Sequence, residues 1–216
     1  MATTPSPPLA TAERRVPAGV PAGAAPTATP ELGALGLSDR AALVALLSAT
    51  GVFREAEVAV ALELFDEAFG PGGGGGTDPE GYAFVGAFLG DAAAAAAARL
   101  ANGGLLAGYA CWGRTPDTRG TFDLYWLAVD PARQGSGIGA ALVREVKRRV
   151  AALGGRVLLI EASGRADNAG VRRFYERLDC TAAARVRDFY APGDDRIIYT
   201  TRVDGAVSIR GATDDE

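Results

Sequence analysis

The chain has 216 residues with 22 basic and 26 acidic side chains, a net charge of −4, 48% hydrophobic residues and no histidine. The missing imidazole excludes Ser-His-Asp and Cys-His triads, histidine-ligated metals and imidazole acid–base chemistry, which leaves carboxylates, Tyr, Cys, Arg, backbone dipoles and the single Lys147. The slight acidity supplies no basic field for nucleic acid and no polybasic patch for an anionic membrane.

Residues 1–30 carry seven of the twelve prolines, few large apolar side chains and no periodicity, so a disordered N-terminal tail is expected. Its Ser, Thr, Ala and Arg content, with Glu13 the only acid, is also compatible with a transit peptide. Residues 31–203 are expected to form one domain, and 204–216 a short acidic tail. Ser38 or Asp39 can cap a first helix carrying Leu43, Leu46 and Leu47, and a second helix carries Val58, Leu62, Phe65 and Phe69. The Gly72–Gly76 and Ala92–Ala98 runs read as loop insertions. Strands are expected over 82–89, 104–113 and 121–130, the last two joined by a polar turn as an antiparallel hairpin. A long amphipathic helix follows over about 137–153, with Ile138, Leu142, Val146, Val150 and Leu153 on one face. Then come a strand over 157–160, a helix opened by Asp167, and strands over about 181–187 and 196–203 flanking the turn-rich Pro192–Asp195. This order predicts an α/β or α+β domain around a mixed sheet.

Cys111 and Cys180 stand in apolar, strand-like surroundings without CxxC spacing and are expected to be reduced core residues. No apolar run approaches the roughly 18 residues that span a bilayer, so a soluble cytoplasmic protein is the expectation.

The chemistry concentrates between Val129 and Ala140, where a strand runs through Asp130-Pro-Ala-Arg-Gln134-Gly135-Ser136-Gly137-Ile138-Gly139 into a helix. Unpaired amides and the positive end of the helix dipole make such a junction an anion site, and its glycines let a phosphate approach the backbone. The same glycines can be purely steric. Gly135, Gly137 and Ala140 also satisfy the dinucleotide fingerprint, with Glu161 at a suitable distance for a ribose. That reading is weakened because Asp130 to Gln134 intervene before the first glycine, and only 55 residues follow Glu161. A Walker A loop is excluded, since no Gly-Lys-Ser/Thr is present.

The stretch Leu127–Gly139, with Gln134, Gly137 and Gly139 in Gln-x-x-Gly-x-Gly spacing, and the later Asn168 with Phe174-Tyr175-Glu176, resemble the GNAT superfamily of N-acetyltransferases. The resemblance covers roughly residues 31–203 and implies a mixed, mostly antiparallel sheet flanked by helices, with a V-shaped splay at the cofactor site. Leu178-Asp179-Cys180 departs from the family's Leu-Gly-Phe, which leaves a turn without its glycine.

The resemblance implies acetyl-coenzyme A as cofactor. Its pyrophosphate would sit on the amides of Gln134, Gly135, Ser136, Gly137, Ile138, Gly139 and Ala140 beside Arg133, with Asn168 and Phe174 completing the site. Its pantetheine arm would lie along Leu127, Ala128 and Val129. Tyr175 matches the general acid that protonates the departing thiolate. Asp123, read as sharing a strand face with Tyr125 and Leu127, is the candidate base, directly or through water. Phe53, Arg54, Tyr125, Glu161, Ser163, Asp188 and Tyr190 are candidates for the acceptor site, on a loop expected over Arg187–Asp195 and around it. No metal is implied. The implied activity is direct acetyl transfer to a primary amine of a small molecule, or of a peptide or protein; dimers are common in the family. A coenzyme A-binding regulator that has lost transfer is the other reading. Without imidazole, an activity pKa between about 6 and 8 must come from the bound amine or a perturbed carboxylate.

Overall fold

The expected apolar periods become elements in a computed structural model that describes residues 30–89 and 106–203. The proline-rich tail, the Ala92–Ala98 run and the acidic tail lie outside the described residues. In chain order these elements are β1 (Glu31–Gly33), α1 (Arg40–Thr50), α2 (Glu55–Phe69), β2 (Ala83–Phe88), β3 (Leu106–Arg114) and β4 (Thr121–Val129). They continue with α3 (Ile138–Ala152), β5 (Val157–Ser163), α4 (Ala169–Glu176), β6 (Thr181–Ala191) and β7 (Asp194–Arg202).

The seven strands form one sheet in the order β1-β2-β3-β4-β5-β7-β6, antiparallel except for the β4–β5 pair. Two apolar layers sandwich it. Leu43, Leu47 and Phe65 of α1 and α2 bury against Phe84, Tyr109 and Trp126 on one face. Leu142, Val146 and Val150 of α3, with Tyr175 of α4, bury against Phe122, Leu158 and Ile160 on the other. Each fully buried aliphatic side chain contributes about 1.5–3 kcal/mol relative to exposure, which holds α3 firmly behind the glycine loop it follows. Cys111 and Cys180 are both free and buried.

Three departures from the sequence reading have physical causes. The register of β3 and β4 pairs Cys111 with Trp126 but Trp112 with Leu124, so Tyr125 is an extra residue at a β-bulge. The bulge reverses the alternation: Leu124, Leu127 and Val129 join the α3 layer, while Tyr125, Trp126 and Ala128 join the α1–α2 layer. Asp123 and Leu127 therefore do not share a face. The segment expected as a loop over Arg187–Asp195 is instead the end of the β6–β7 hairpin, with a register irregularity between Val186 and Ala191, closed by Pro192-Gly193 with Gly193 at φ +80° and Ala191 paired with Asp194. Asp39 stands before α1, but its Oδ2 accepts from the Gly36 amide at 2.8 Å rather than capping the helix.

Asp179 takes the missing glycine's turn with φ +59°, a left-handed conformation that Asp tolerates better than most residues. Among the described residues, no helix is long and apolar enough to cross a membrane.

Candidate active site

The strand-to-helix junction is built by local chemistry. Asp130 directly follows β4, and its carboxylate accepts from the Ala132 amide at 2.9 Å, folding Pro131–Arg133 into a single helical turn. Gly135 and Gly137 follow at φ +82° and +89°, where a side chain would be strained, and the space in front of both is open. Gly139 approaches the Phe174 ring so closely that an added Cβ would lie 3.3 Å away. Among the described residues, the amides of Ile138, Gly139 and Ala140 donate to no backbone carbonyl, as expected for the first turn of a helix. Open space, free amides and a positive dipole end together fit a phosphate group.

The second part of the site is a gap in the sheet. β4 and β5 pair only from Thr121↔Val157 to Leu124↔Ile160, although β4 continues to Val129 and β5 to Ser163. Beyond that point the strands separate, leaving the β5-facing edge of Leu127–Val129 without a strand partner among the described residues and able to pair with an extended amide chain. A cleft of about 570 Å³ fills the gap and runs from the glycine loop to Thr50, Val52 and Phe53. Arg133, Arg144 and Arg177 line it, and among the described residues Glu161 is the one acidic side chain in its wall. Phosphates of a nucleotide cofactor suit the first group, and the open β4 edge suits a pantetheine arm.

Tyr175 lines the cleft from α4, buried, with its ring 5.1 Å from that of Phe174 and 5.9 Å from that of Tyr199. Burial pushes its phenol well above the ordinary value of 10.0, so it stays protonated at neutral pH. Asp123 lies on β4 below the splay, outside the cleft lining, where its Oδ2 accepts from Thr115 Oγ1 at 2.6 Å. Burial raises its carboxyl above the ordinary 3.8, against the opposing effects of that hydrogen bond and the charge of Arg196. Arg196 Nη2 donates to Glu161 Oε1, and its guanidinium stands 4.8 Å from the centre of the Phe189 ring.

Of the residues singled out from sequence, Leu127, Ala128, Val129, Arg133, Gln134, Gly135, Gly137, Ile138, Gly139, Ala140, Phe174, Tyr175, Phe53, Tyr125 and Glu161 line the cleft. Ser136 turns back to the Arg133 carbonyl (2.6 Å), and Asn168 is buried behind α4 as its N-cap. Arg54 is at the start of α2, bonded to Glu57; Ser163 donates to Asp194 at 2.5 Å; Asp188 accepts from the Gly193 amide at 2.6 Å; Tyr190 is on β6 against Phe189. None of these lines the cleft. Lys147 donates to the Leu178 carbonyl at 3.0 Å and serves packing.

Sequence reasoning missed Arg144, Arg177, Trp126 and Arg196. Arg144 is one helical turn beyond Ala140, and Arg177 directly follows the Phe-Tyr-Glu signature, so both had a positional signal. Trp126 and Arg196 had none, because the bulge and the β5–β7 register bring them in.

The sequence model of the acetyltransferase (GNAT) family matches residues 61–179. A crystal structure from Desulfovibrio desulfuricans, described as a GNAT-family acetyltransferase, is similar at 41% identity over 81% of this chain and 99% of that chain, with a TM-score of 0.69. This chain belongs to the GNAT acetyltransferase family, an acyltransferase class that uses acetyl-coenzyme A. The ribosomal-protein-S18-alanine N-acetyltransferase of Escherichia coli shares the fold at 21% identity, over 83% of this chain and 97% of that chain, with a TM-score of 0.58. An acetyltransferase from Salmonella typhimurium, solved with its cofactor acetyl-CoA, does so at 16% identity over 84% and 98%, with a TM-score of 0.59. No curated protein matches the sequence.

Proposed function

We propose that this chain transfers the acetyl group of acetyl-coenzyme A directly to a primary amine of a small molecule, in a single catalytic domain spanning residues 31–203 of a cytoplasmic protein. One observation carries the reading: a single cleft joins an anion-binding glycine loop to an end that holds a carboxylate and a protonated phenol. Its volume of about 570 Å³ is in the range of small-molecule sites.

The cofactor supplies an activated thioester. The amides of Gly137–Ala140, with Arg133, Arg144 and Arg177, hold its phosphates, and the free edge of Leu127–Val129 holds the pantetheine amides. Glu161, in the cleft wall, takes the proton from the acceptor ammonium. Asp123, set back from the cleft, adds negative charge behind it. Tyr175 donates a proton to the leaving thiolate.

Release of free thiol from acetyl-coenzyme A across a panel of primary amines tests the reading. Stabilisation by the cofactor with no thiol released for any amine would favour a binding protein. On the best acceptor, Glu161→Gln lowers kcat by about 10² or more, while Asp123→Asn raises KM and leaves kcat within a few-fold. An unchanged kcat for Glu161→Gln removes it as base.

A further inference from the structure

Behind Glu161 in the cleft wall stands a guanidinium, that of Arg196, which amine acetylation does not itself call for. In the β5–β7 ladder Glu161 is opposite Ile198 and Ser163 opposite Arg196, so Glu161 and Arg196 are diagonal neighbours on one face. Arg196 Nη2 bonds Glu161 Oε1, the guanidinium covers Phe189 at 4.8 Å, and its charge also acts on Asp123. The Glu161 side chain is 8% exposed and that of Arg196 26%. Arg196 Nε is buried and, among the described residues, has no hydrogen-bond partner. A cation held in this way is costly, because taking a charge out of water is only partly offset by its pair.

Charge counting suggests what the cost maintains. The carboxylates of Asp123 and Glu161 and the guanidinium of Arg196 leave one net negative charge at this end. Behind them, Asp194 on the Ser163 hydroxyl and Arg172 on the Ser163 carbonyl add one charge of each sign, and Arg185 pairs with Asp195. The remaining wall is aromatic and aliphatic, with Val52, Phe53, Tyr125 and Trp126. One ammonium balances this end. A second would meet either an apolar wall, at a desolvation penalty, or the repulsion of the like charge of Arg196 behind Glu161.

On the reading of this cleft as an amine acceptor site, we infer that Arg196 determines specificity: it restricts the acceptor to amines with a single positive charge on an otherwise uncharged body and excludes diamines and polyamines. Arg196 touches the base rather than the reacting atoms, so its role is to set the charge that the acceptor must match.

Calorimetric titration of the full chain at pH 8 with butylamine and with 1,4-diaminobutane tests this. The parent binds butylamine at least about tenfold more tightly, a difference of about 1.4 kcal/mol. Arg196→Gln reverses the order, and Arg196→Lys keeps it. Should Arg196→Gln not fold, Asp123→Asn decides: it keeps the ion pair, removes the net charge and weakens butylamine binding about tenfold or more. An order unchanged in folded Arg196→Gln, equal affinity for the two amines, an unchanged affinity in Asp123→Asn, or no binding of either amine overturns the inference. Thiol release with the same two amines reports transfer separately. Binding that follows the charge rule without release counts against transfer alone, and release with no charge preference counts against Arg196 alone.

Discussion

Tyr175 and Asp123 were both singled out as proton-moving residues, and their surroundings separate them. Tyr175 has its ring in the cleft wall and a phenol that burial keeps protonated at neutral pH, so it can act as a donor there. Tyr175→Phe should lower kcat by about 10² or more with acetyl-coenzyme A affinity preserved, as read by steady-state kinetics and direct titration; equal kcat would remove it from the mechanism. Asp123 was chosen by its offset from Val129, but the bulge at Tyr125 and its bond to Thr115 leave it outside the cleft lining. Its raised pKa has a stability consequence. A carboxyl with a higher pKa in the folded state binds more protons there, so its contribution is full below the ordinary value of 3.8 and is lost as pH rises through the folded value. Asp123→Asn should therefore raise the melting temperature at pH 7 relative to that near pH 4; a pH profile parallel to the parent's would show that Asp123 contributes nothing to it.

At the scale of elements, the glycine loop and α3 act together. The loop's left-handed glycines turn the chain so that the first amides of α3 face the open cleft, and the buried stripe of Leu142, Val146 and Val150 fixes where that helix end points. Gly137→Glu combines backbone strain of about 1–3 kcal/mol with a negative charge where phosphate is to bind. It should weaken acetyl-coenzyme A binding by about 10² or more while α3 remains folded by circular dichroism; unchanged affinity would remove the loop from the cofactor site. The elements most open to sequence reading were those with a strong period, above all α3, expected over 137–153 and observed as Ile138–Ala152. Between strands expected over about 181–187 and 196–203, the Arg187–Asp195 end of the β6–β7 hairpin reads as a loop because Asp188, Pro192, Gly193, Asp194 and Asp195 are turn-forming residues. In the fold only Pro192 and Gly193 make the turn, and the acids are taken up by Ser163, Arg185 and the Gly193 amide.

Over the whole molecule, the cleft draws on α1, β4, the glycine loop, α3, β5 and α4 at once, so a cofactor that occupies it links both apolar layers. Binding only the folded state at 100 times its dissociation constant adds about 2.7 kcal/mol, which for a domain of this size raises the melting temperature by about 5–10 °C. A thermal shift near zero with acetyl-coenzyme A would contradict the cofactor assignment. The amino-acid order by itself determined most of the succession of helices and strands, the absence of imidazole chemistry and the glycine-rich turn that opens α3, because each depends on neighbouring residues or a short period. It also placed Tyr175, whose position is tied to Phe174 and Glu176 within one helix. Only the tertiary structure decided which carboxylate lines the cleft and what stands beside it. The bulge at Tyr125 depends on the register of β3 with β4, and the pairing of Glu161 with Arg196 joins residues 35 apart through the β5–β7 ladder. Neither register is encoded in any local stretch; both follow from burying two opposite faces of one sheet at the same time.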